Sequence, residues 1–182
     1  MISKKTYIIT ETQLKTILEI DSLESVDFMS TVGNSDLIEI WKDIQNKTGD
    51  KFTKEDFINE ETLSGSVKLE NGGMDPNTVQ AFEKLQKDCP GLIMDEDSYR
   101  TYERQKELFI QYVKKYGSIK NAMKLRAIPG FSQHHTGRAI DVEPDSVRAC
   151  VARNASNYGF EFPYKGENSL RAKEPWHIFY TK

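Results

Sequence analysis

Histidine is scarce in this chain, with three residues in 182, at positions 134, 135 and 177. Cysteine is scarcer still: Cys89 and Cys150 are the only two. A single distant pair is neither a zinc knuckle nor the dense bridge framework of a small secreted domain. Free cysteine is among the most buried residue types, so two buried free thiols are expected. No apolar run approaches the ~20 residues of a membrane span. The N-terminal stretch MISKKTYIITETQLK has only Tyr7, Ile8 and Ile9 as a continuous apolar run. A secretory signal needs about 7–15 such residues. The expectation is a chain made in the cytoplasm that stays there until something releases it. An excess of either charge is also missing: 25 basic against 28 acidic residues give a net −3, with the signs interspersed. That pattern argues against a dedicated nucleic-acid binder. With 37% hydrophobic and 10% aromatic residues the chain is too apolar for disorder. Its length suits one domain of roughly 100–150 residues plus an extension.

The two parts differ in texture. In residues 1–70, Thr10-Glu11-Thr12-Gln13 reads as a capping box opening a helix with Leu14, Ile17 and Leu18 on one face. Leu37, Ile40, Trp41 and Ile44 mark a second helix ending near Gly49. Leu69-Glu70-Asn71-Gly72-Gly73 is the best linker candidate. From residue 75 the signals are denser. Asp75-Pro76 opens a helix with Val79, Phe82 and Leu85 inward. Leu92-Ile93-Met94 reads as a short buried strand. Thr101 to Tyr116 is a long amphipathic helix with Leu108, Phe109, Tyr112, Val113 and Tyr116 inside, stopped by Gly117. Ser118 caps a short helix through Leu125, and Pro129-Gly130 turns the chain. Ala139 to Val142 and Trp176 to Tyr180 read as strands, and Asp145 to Asn157 as a helix. Helices and short strands without regular alternation predict an α+β fold.

The scarce histidines sit beside carboxylates. His134 and His135 lie in Phe131-Ser-Gln-His-His-Thr-Gly-Arg-Ala-Ile-Asp141, and His177 ends Glu174-Pro-Trp-His177. A catalytic zinc site takes three protein ligands and one open position, with a further carboxylate to move the proton. His134 and Asp141, seven apart with Gly137 between them, could converge on one ion, joined by His177 from the terminal strand. Glu174 would then be the base. In a regular strand positions 174 and 177 face opposite sides, so Pro175 must bend the chain. Spacing alone leaves a metal site and a polar loop beside a packed strand start as alternatives.

At these residues the chain resembles the VanY-like D-alanyl-D-alanine carboxypeptidases of the LAS group of zinc metallopeptidases, which share the Hedgehog/DD-peptidase-type fold. The group's signature, S-x-H-x-x-G-x-A-x-D followed by a distant E-x-x-H, is met by Ser132, His134, Gly137, Ala139, Asp141, Glu174 and His177. Upstream, Ser98 to Phe109 is similar to the family's S-G-Y-R-S-Y-x-x-Q-x-x-L-F block, and Asn157-Tyr-Gly-Phe160 is similar to the segment before the last strands. The resemblance implies a small antiparallel sheet flanked by helices over residues 71–182. A mainly helical N-terminal extension of unknown role, residues 1–70, precedes it. It implies zinc on His134, Asp141 and His177, Glu174 as general base and then acid, and Arg100 on the oxyanion. Gln105 and Ser132 would hold substrate, and Tyr99 would form a pocket wall. His135 lies outside the motif and reads as a neighbour of the ligands or as solvent-facing. Two departures stand out: Ser98 where relatives carry Gly, and a loop Ser169-Leu-Arg-Ala-Lys173 where many have a Gly.

The activity so implied is hydrolysis of peptidoglycan stem peptides, foremost as a D-alanyl-D-alanine carboxypeptidase. The alternatives are an endopeptidase of the phage endolysin type, released by lysis or carried in a virion, and a non-catalytic zinc-binding module. The implied partner is a peptidoglycan-derived peptide, with no nucleic acid; the sequence is silent on oligomeric state. Tyr99, Tyr102, Phe160, Phe162 and Tyr164 read as core or sheet facing more readily than as a groove. Lys114, Lys115 and the stretch Lys120 to Arg126 read as a solvated basic face.

Overall fold

The computed structural model describes residues 34–64, 69–164 and 174–182. The helix expected after Thr10 and the loop Ser169–Lys173 lie outside the described residues. Six helices and four short strands follow one another: α1 (Ser35–Thr48), α2 (Lys54–Ser64), α3 (Pro76–Asp88), β1 (Ile93–Met94), α4 (Tyr102–Tyr116), α5 (Ile119–Met123), β2 (Ala139–Glu143), α6 (Arg148–Asn154), β3 (Phe160–Glu161) and β4 (His177–Tyr180). The strands form one antiparallel sheet in the order β1-β2-β4-β3. This is the α+β arrangement expected. No described helix is long and apolar enough to cross a membrane.

Local chemistry sets most helix ends. The Asn34 side chain accepts the Leu37 N–H at the start of α1, and Gly49 closes it at φ 73°. Asp75 caps α3 through the Thr78 N–H with Pro76 in the first turn, and Thr101 caps α4. The face of α1 that reads apolar in sequence, Leu37, Ile40, Trp41 and Ile44, is buried. In α4 the buried set is Tyr102, Gln105, Phe109, Ile110 and Val113, while Tyr116 lies exposed.

Two apolar clusters result. The first joins α1, Phe52 and Phe57 to α4, α5, Ile128 and Phe131, so residues 37–57 share a core with the second half of the chain. The second joins α3, Leu92, the sheet residues Ile140, Val142, Phe160 and Ile178, and Val151 of α6. The His134 loop runs from Phe131 in the first cluster to Ile140 in the second, so both cores anchor it.

Three expectations need correction. Leu92 is buried, but Ile93 is 57% exposed, because β1 is an edge strand only two residues long. The Glu70–Asp75 stretch is a strap rather than a loose linker. The Glu70 carboxylate accepts the Tyr102 N–H, the Asn71 N–H donates to the His135 carbonyl, and the Asp75 N–H donates to the Gly137 carbonyl. Finally, Cys89 and Cys150 are not free thiols but a disulfide, with Cα atoms 5.7 Å apart and 61 positions between them in sequence. Packing of α3 against α6 brings them together, a proximity that spacing along the chain does not encode. On chain-entropy grounds, closing a loop of this length stabilises by about 4 kcal/mol. Cys150→Ala is therefore expected to lower the melting temperature markedly, and reductant should do the same to the parent chain. Melting that is indifferent to both would show that the bridge adds nothing.

Candidate active site

The register of two strands builds the centre. In the β2–β4 ladder Asp141 pairs directly with His177. Directly opposed residues place their side chains on the same face, so the ladder brings a carboxylate and an imidazole together. His134 comes from a one-turn helix, Gln133–Thr136, capped by Ser132, whose Oγ accepts the His134 N–H at 3.4 Å. Gly137 ends that turn at φ 66° and lets the chain enter β2. One potential ligand atom from each of His134, Asp141 and His177 lies within 4.8 Å of the others.

Hydrogen bonds on the far side of each ring fix which nitrogen faces the centre. His134 Nδ1 donates to the Ser98 carbonyl at 2.8 Å, and His177 Nε2 donates to Gln133 Oε1 at 2.9 Å. His134 Nε2 and His177 Nδ1 then face inward. They stand 3.5 Å from Asp141 Oδ2 and 3.0 Å from Oδ1. His177 Nδ1 lies at hydrogen-bond distance from Asp141 Oδ1, and the three groups together form a set that could hold a cation. Burial pushes the His134 imidazole well below its ordinary value. Burial alone would raise the Asp141 carboxyl. His134, the hydrogen-bonded His177 and the Arg100 guanidinium outweigh it and hold the group well below the usual carboxylate range. Two imidazoles, one carboxylate and an open side suit a catalytic zinc ion.

Glu174 reaches the same place by a turn. The His177 N–H donates to the Glu174 carbonyl at 3.1 Å, closing Glu174-Pro175-Trp176-His177 with Pro175 at the position where proline is preferred. The reversal removes the strand alternation that would have separated the two side chains, and Glu174 Oε2 lies 3.9 Å from His177 Nδ1. Arg100 is buried beside the centre, its Nη2 2.7 Å from Asp141 Oδ2. Gln105 is fully buried and donates through Nε2 to the Ala127 carbonyl at 2.7 Å. Arg100, Gln105, Ser132, His134, Asp141, Glu174 and His177 all line one cleft. Tyr99 does not line it. Its hydroxyl accepts the Gly72 N–H at 3.0 Å and so ties down the strap.

Several contributors escape a reading of the sequence. His135 is neither solvent-facing nor beside the ligand atoms. It is fully buried, accepts the Gly130 N–H at Nε2 (3.1 Å) and donates from Nδ1 to the Arg100 carbonyl (2.6 Å). It thereby ties Arg100 to the His134 loop. Ser98, noted above as a departure, accepts the Asp141 N–H at Oγ (3.1 Å) while its carbonyl orients His134. Gln133 occupies a variable motif position yet orients His177. Tyr164 packs on the His177 ring at 5.0 Å and lines the cleft, whereas Tyr102 and Phe160 are core, as expected. A polar residue two positions or fewer from a ligand was the only signal available for Gln133 and His135.

Known proteins carry the same pattern. The sequence profile of the family described as VanY, D-alanyl-D-alanine carboxypeptidase, matches residues 71–182. YodJ of Bacillus subtilis (strain 168), whose name proposes a carboxypeptidase, is 35% identical over 99 residues. The match spans 46% of this chain and 36% of YodJ. The bifunctional D-Ala-D-Ala dipeptidase and D-Ala-D-Ala carboxypeptidase VanXYC of Enterococcus gallinarum is 30% identical over 129 residues, spanning 59% of this chain and 67% of VanXYC. The chain thus spans about a third to two thirds of these curated relatives.

Solved structures agree with these matches. VanYB in complex with D-alanine-D-alanine superposes with a TM-score of 0.54 at 25% identity, covering 64% of this chain and 77% of that one. A point mutant of the vancomycin resistance D,D-pentapeptidase VanY in complex with Zn(II) gives 0.53 at 27%, covering 64% and 80%. The LdcB LD-carboxypeptidase gives 0.53 at 28%, covering 61% and 68%. With its motif residues gathered at one centre and the family profile matching more than half its length, this chain belongs to the VanY family of D-alanyl-D-alanine carboxypeptidases.

Proposed function

We propose that this protein is a zinc-dependent carboxypeptidase that removes the terminal D-alanine from peptidoglycan stem peptides. The observation that carries this reading is the convergence of His134, Asp141 and His177 with the Glu174 carboxylate at their edge and the Arg100 guanidinium beside them. A module that only binds zinc needs neither Glu174 nor Arg100. The solved relatives with Zn(II) and with D-alanine-D-alanine support the choice of metal and substrate class. Residues 71–182 are the catalytic unit in this reading, and the helices of residues 35–64 brace it through the shared core around Phe109 and Phe131.

His134, Asp141 and His177 would hold the zinc, which when bound would supply Lewis acidity to activate water and polarise a carbonyl. Glu174 takes the proton from the attacking water and returns it to the leaving amine. Arg100 donates to the carbonyl oxygen as charge builds on it; its guanidinium stays charged and its ion pair with Asp141 fixes its aim. Ser132 and Gln105 hold polar groups of the peptide from the cleft wall.

The direct test is mass spectrometry of a D-Ala-D-Ala-ending pentapeptide after incubation with the zinc-loaded protein. Loss of one alanine, abolished by chelator, is expected. Release of larger fragments from peptidoglycan would mean an endopeptidase, and no chelator-sensitive cleavage of any wall peptide would leave a non-catalytic module. Similarity to LdcB supports a second reading, in which the terminal D-residue follows an L-residue. A tetrapeptide cleaved faster than the pentapeptide would favour it.

A further inference from the structure

The cleft contains two guanidinium groups, and only one has a carboxylate partner. Arg100 is bonded to Asp141. Arg126 lines the same cleft from the loop after α5, and no carboxylate among the described residues lies within ion-pair reach of it. Its Nε is buried without an acceptor. What fixes Arg126 is aromatic: Cζ sits 4.6 Å from the Tyr112 ring centroid, and Nη2 donates weakly to the Tyr112 hydroxyl at 3.4 Å. Lys120 and Lys124, from the same basic stretch, are exposed to solvent, so Arg126 alone of the three is half-buried and turned into the cleft. A half-buried guanidinium with an unpartnered Nε and no carboxylate beside it is open to an anionic ligand.

A second polar atom nearby also lacks a partner. Gln105 Nε2 is spent on the carbonyl of Ala127, the residue next to Arg126. That bond sets the amide's orientation and leaves Gln105 Oε1 buried with no donor. The residues lining the cleft thus include a cation with no carboxylate partner and an amide oxygen with no donor, with Tyr112, Tyr116 and Leu125 as walls. A C-terminal amino-acid residue has the complementary pair: one amide N–H and, one residue's width away, a carboxylate. Guanidinium and carboxylate match in a two-pronged geometry that a lysine lacks.

We propose that Arg126 reads the free carboxylate at the end of the scissile peptide. The proposal rests on the carboxypeptidase reading above and adds to it a specificity residue outside the family motif. An internal acidic side chain carries the same chemistry, so the test separates the two sources.

Two peptides of one sequence, one a free acid and one a C-terminal amide, are compared on the zinc-loaded parent, Arg126→Met and Arg126→Lys, with zinc affinity and melting temperature as controls for folding. The parent is expected to favour the acid by about 10²-fold in kcat/KM, the size of a lost charge-assisted bond in a desolvated site. Arg126→Met should erase that preference, mainly by raising KM for the acid far more than for the amide, and Arg126→Lys should restore part of it. A parent that cleaves acid and amide equally, or an Arg126→Met variant that keeps the preference, overturns the proposal. So does loss confined to peptides with an internal acidic side chain. Calorimetric binding of D-alanyl-D-alanine and its amide, with Glu174→Gln as background, gives a readout independent of turnover. An acid preference in binding that depends on Arg126, without hydrolysis by the parent, would keep the carboxylate site and remove the hydrolase reading.

Discussion

Glu174→Gln is expected to reduce turnover by about 10²–10⁴-fold while zinc remains bound. General acid–base groups contribute on that scale, and in the proposed function one side chain would serve as base in the attack and as acid in the departure of the amine. Gln keeps the size and turn position of Glu174 but can neither accept nor return a proton. The proposed zinc-binding set does not include Glu174: the three converging atoms come from His134, Asp141 and His177. Calorimetry should therefore find zinc affinity within a few-fold of the parent, and kcat should fall far more than KM rises. A variant with full kcat would move the base to another residue. A variant that lost zinc along with activity would make Glu174 a ligand.

The second large effect is on the fold at the centre. Gly137→Ala is expected to cost several kcal/mol and to abolish zinc binding. A methyl group there would sit 2.2 Å from the Gly73 carbonyl oxygen and 2.7 Å from the Asp75 amide nitrogen, both backbone atoms. The residue also holds φ at 66°, where an L side chain is strained. Relief requires the strap to leave the His134 loop, which breaks the hydrogen bond from the Asp75 N–H to the Gly137 carbonyl. His134 is three residues upstream in the same turn, so the displacement reaches a ligand. Circular dichroism melting together with zinc titration measures both consequences. An unchanged melting temperature with native zinc affinity would show that the strap can move without cost.

The fold and the centre were unequally legible. Local signals carried the helices well. The apolar spacing of α1 and its Gly49 stop, the Asp75-Pro76 start of α3 and the Thr101 cap of α4 all appear in place, because caps and 3.6-residue periodicity are fixed within one or two turns of chain. Motif spacing also named the three residues that converge. What Tyr99 touches was not legible, since its place on the strap depends on where Gly72 passes. Nor was the disulfide, which depends on the packing of two helices far apart in sequence.

The amino-acid sequence by itself determined which residues can bind a metal, which can move a proton, and which segments are helical, because side-chain chemistry and backbone preference are local properties. Tertiary structure alone decided the rest. It set Asp141 opposite His177, folded Glu174 back by a closed turn, buried His135 against the Arg100 carbonyl, and turned Arg126 from an apparent solvated face into the cleft. Each of these depends on strand register or on packing between distant segments. Those are properties of pairs, and no single stretch of chain encodes them.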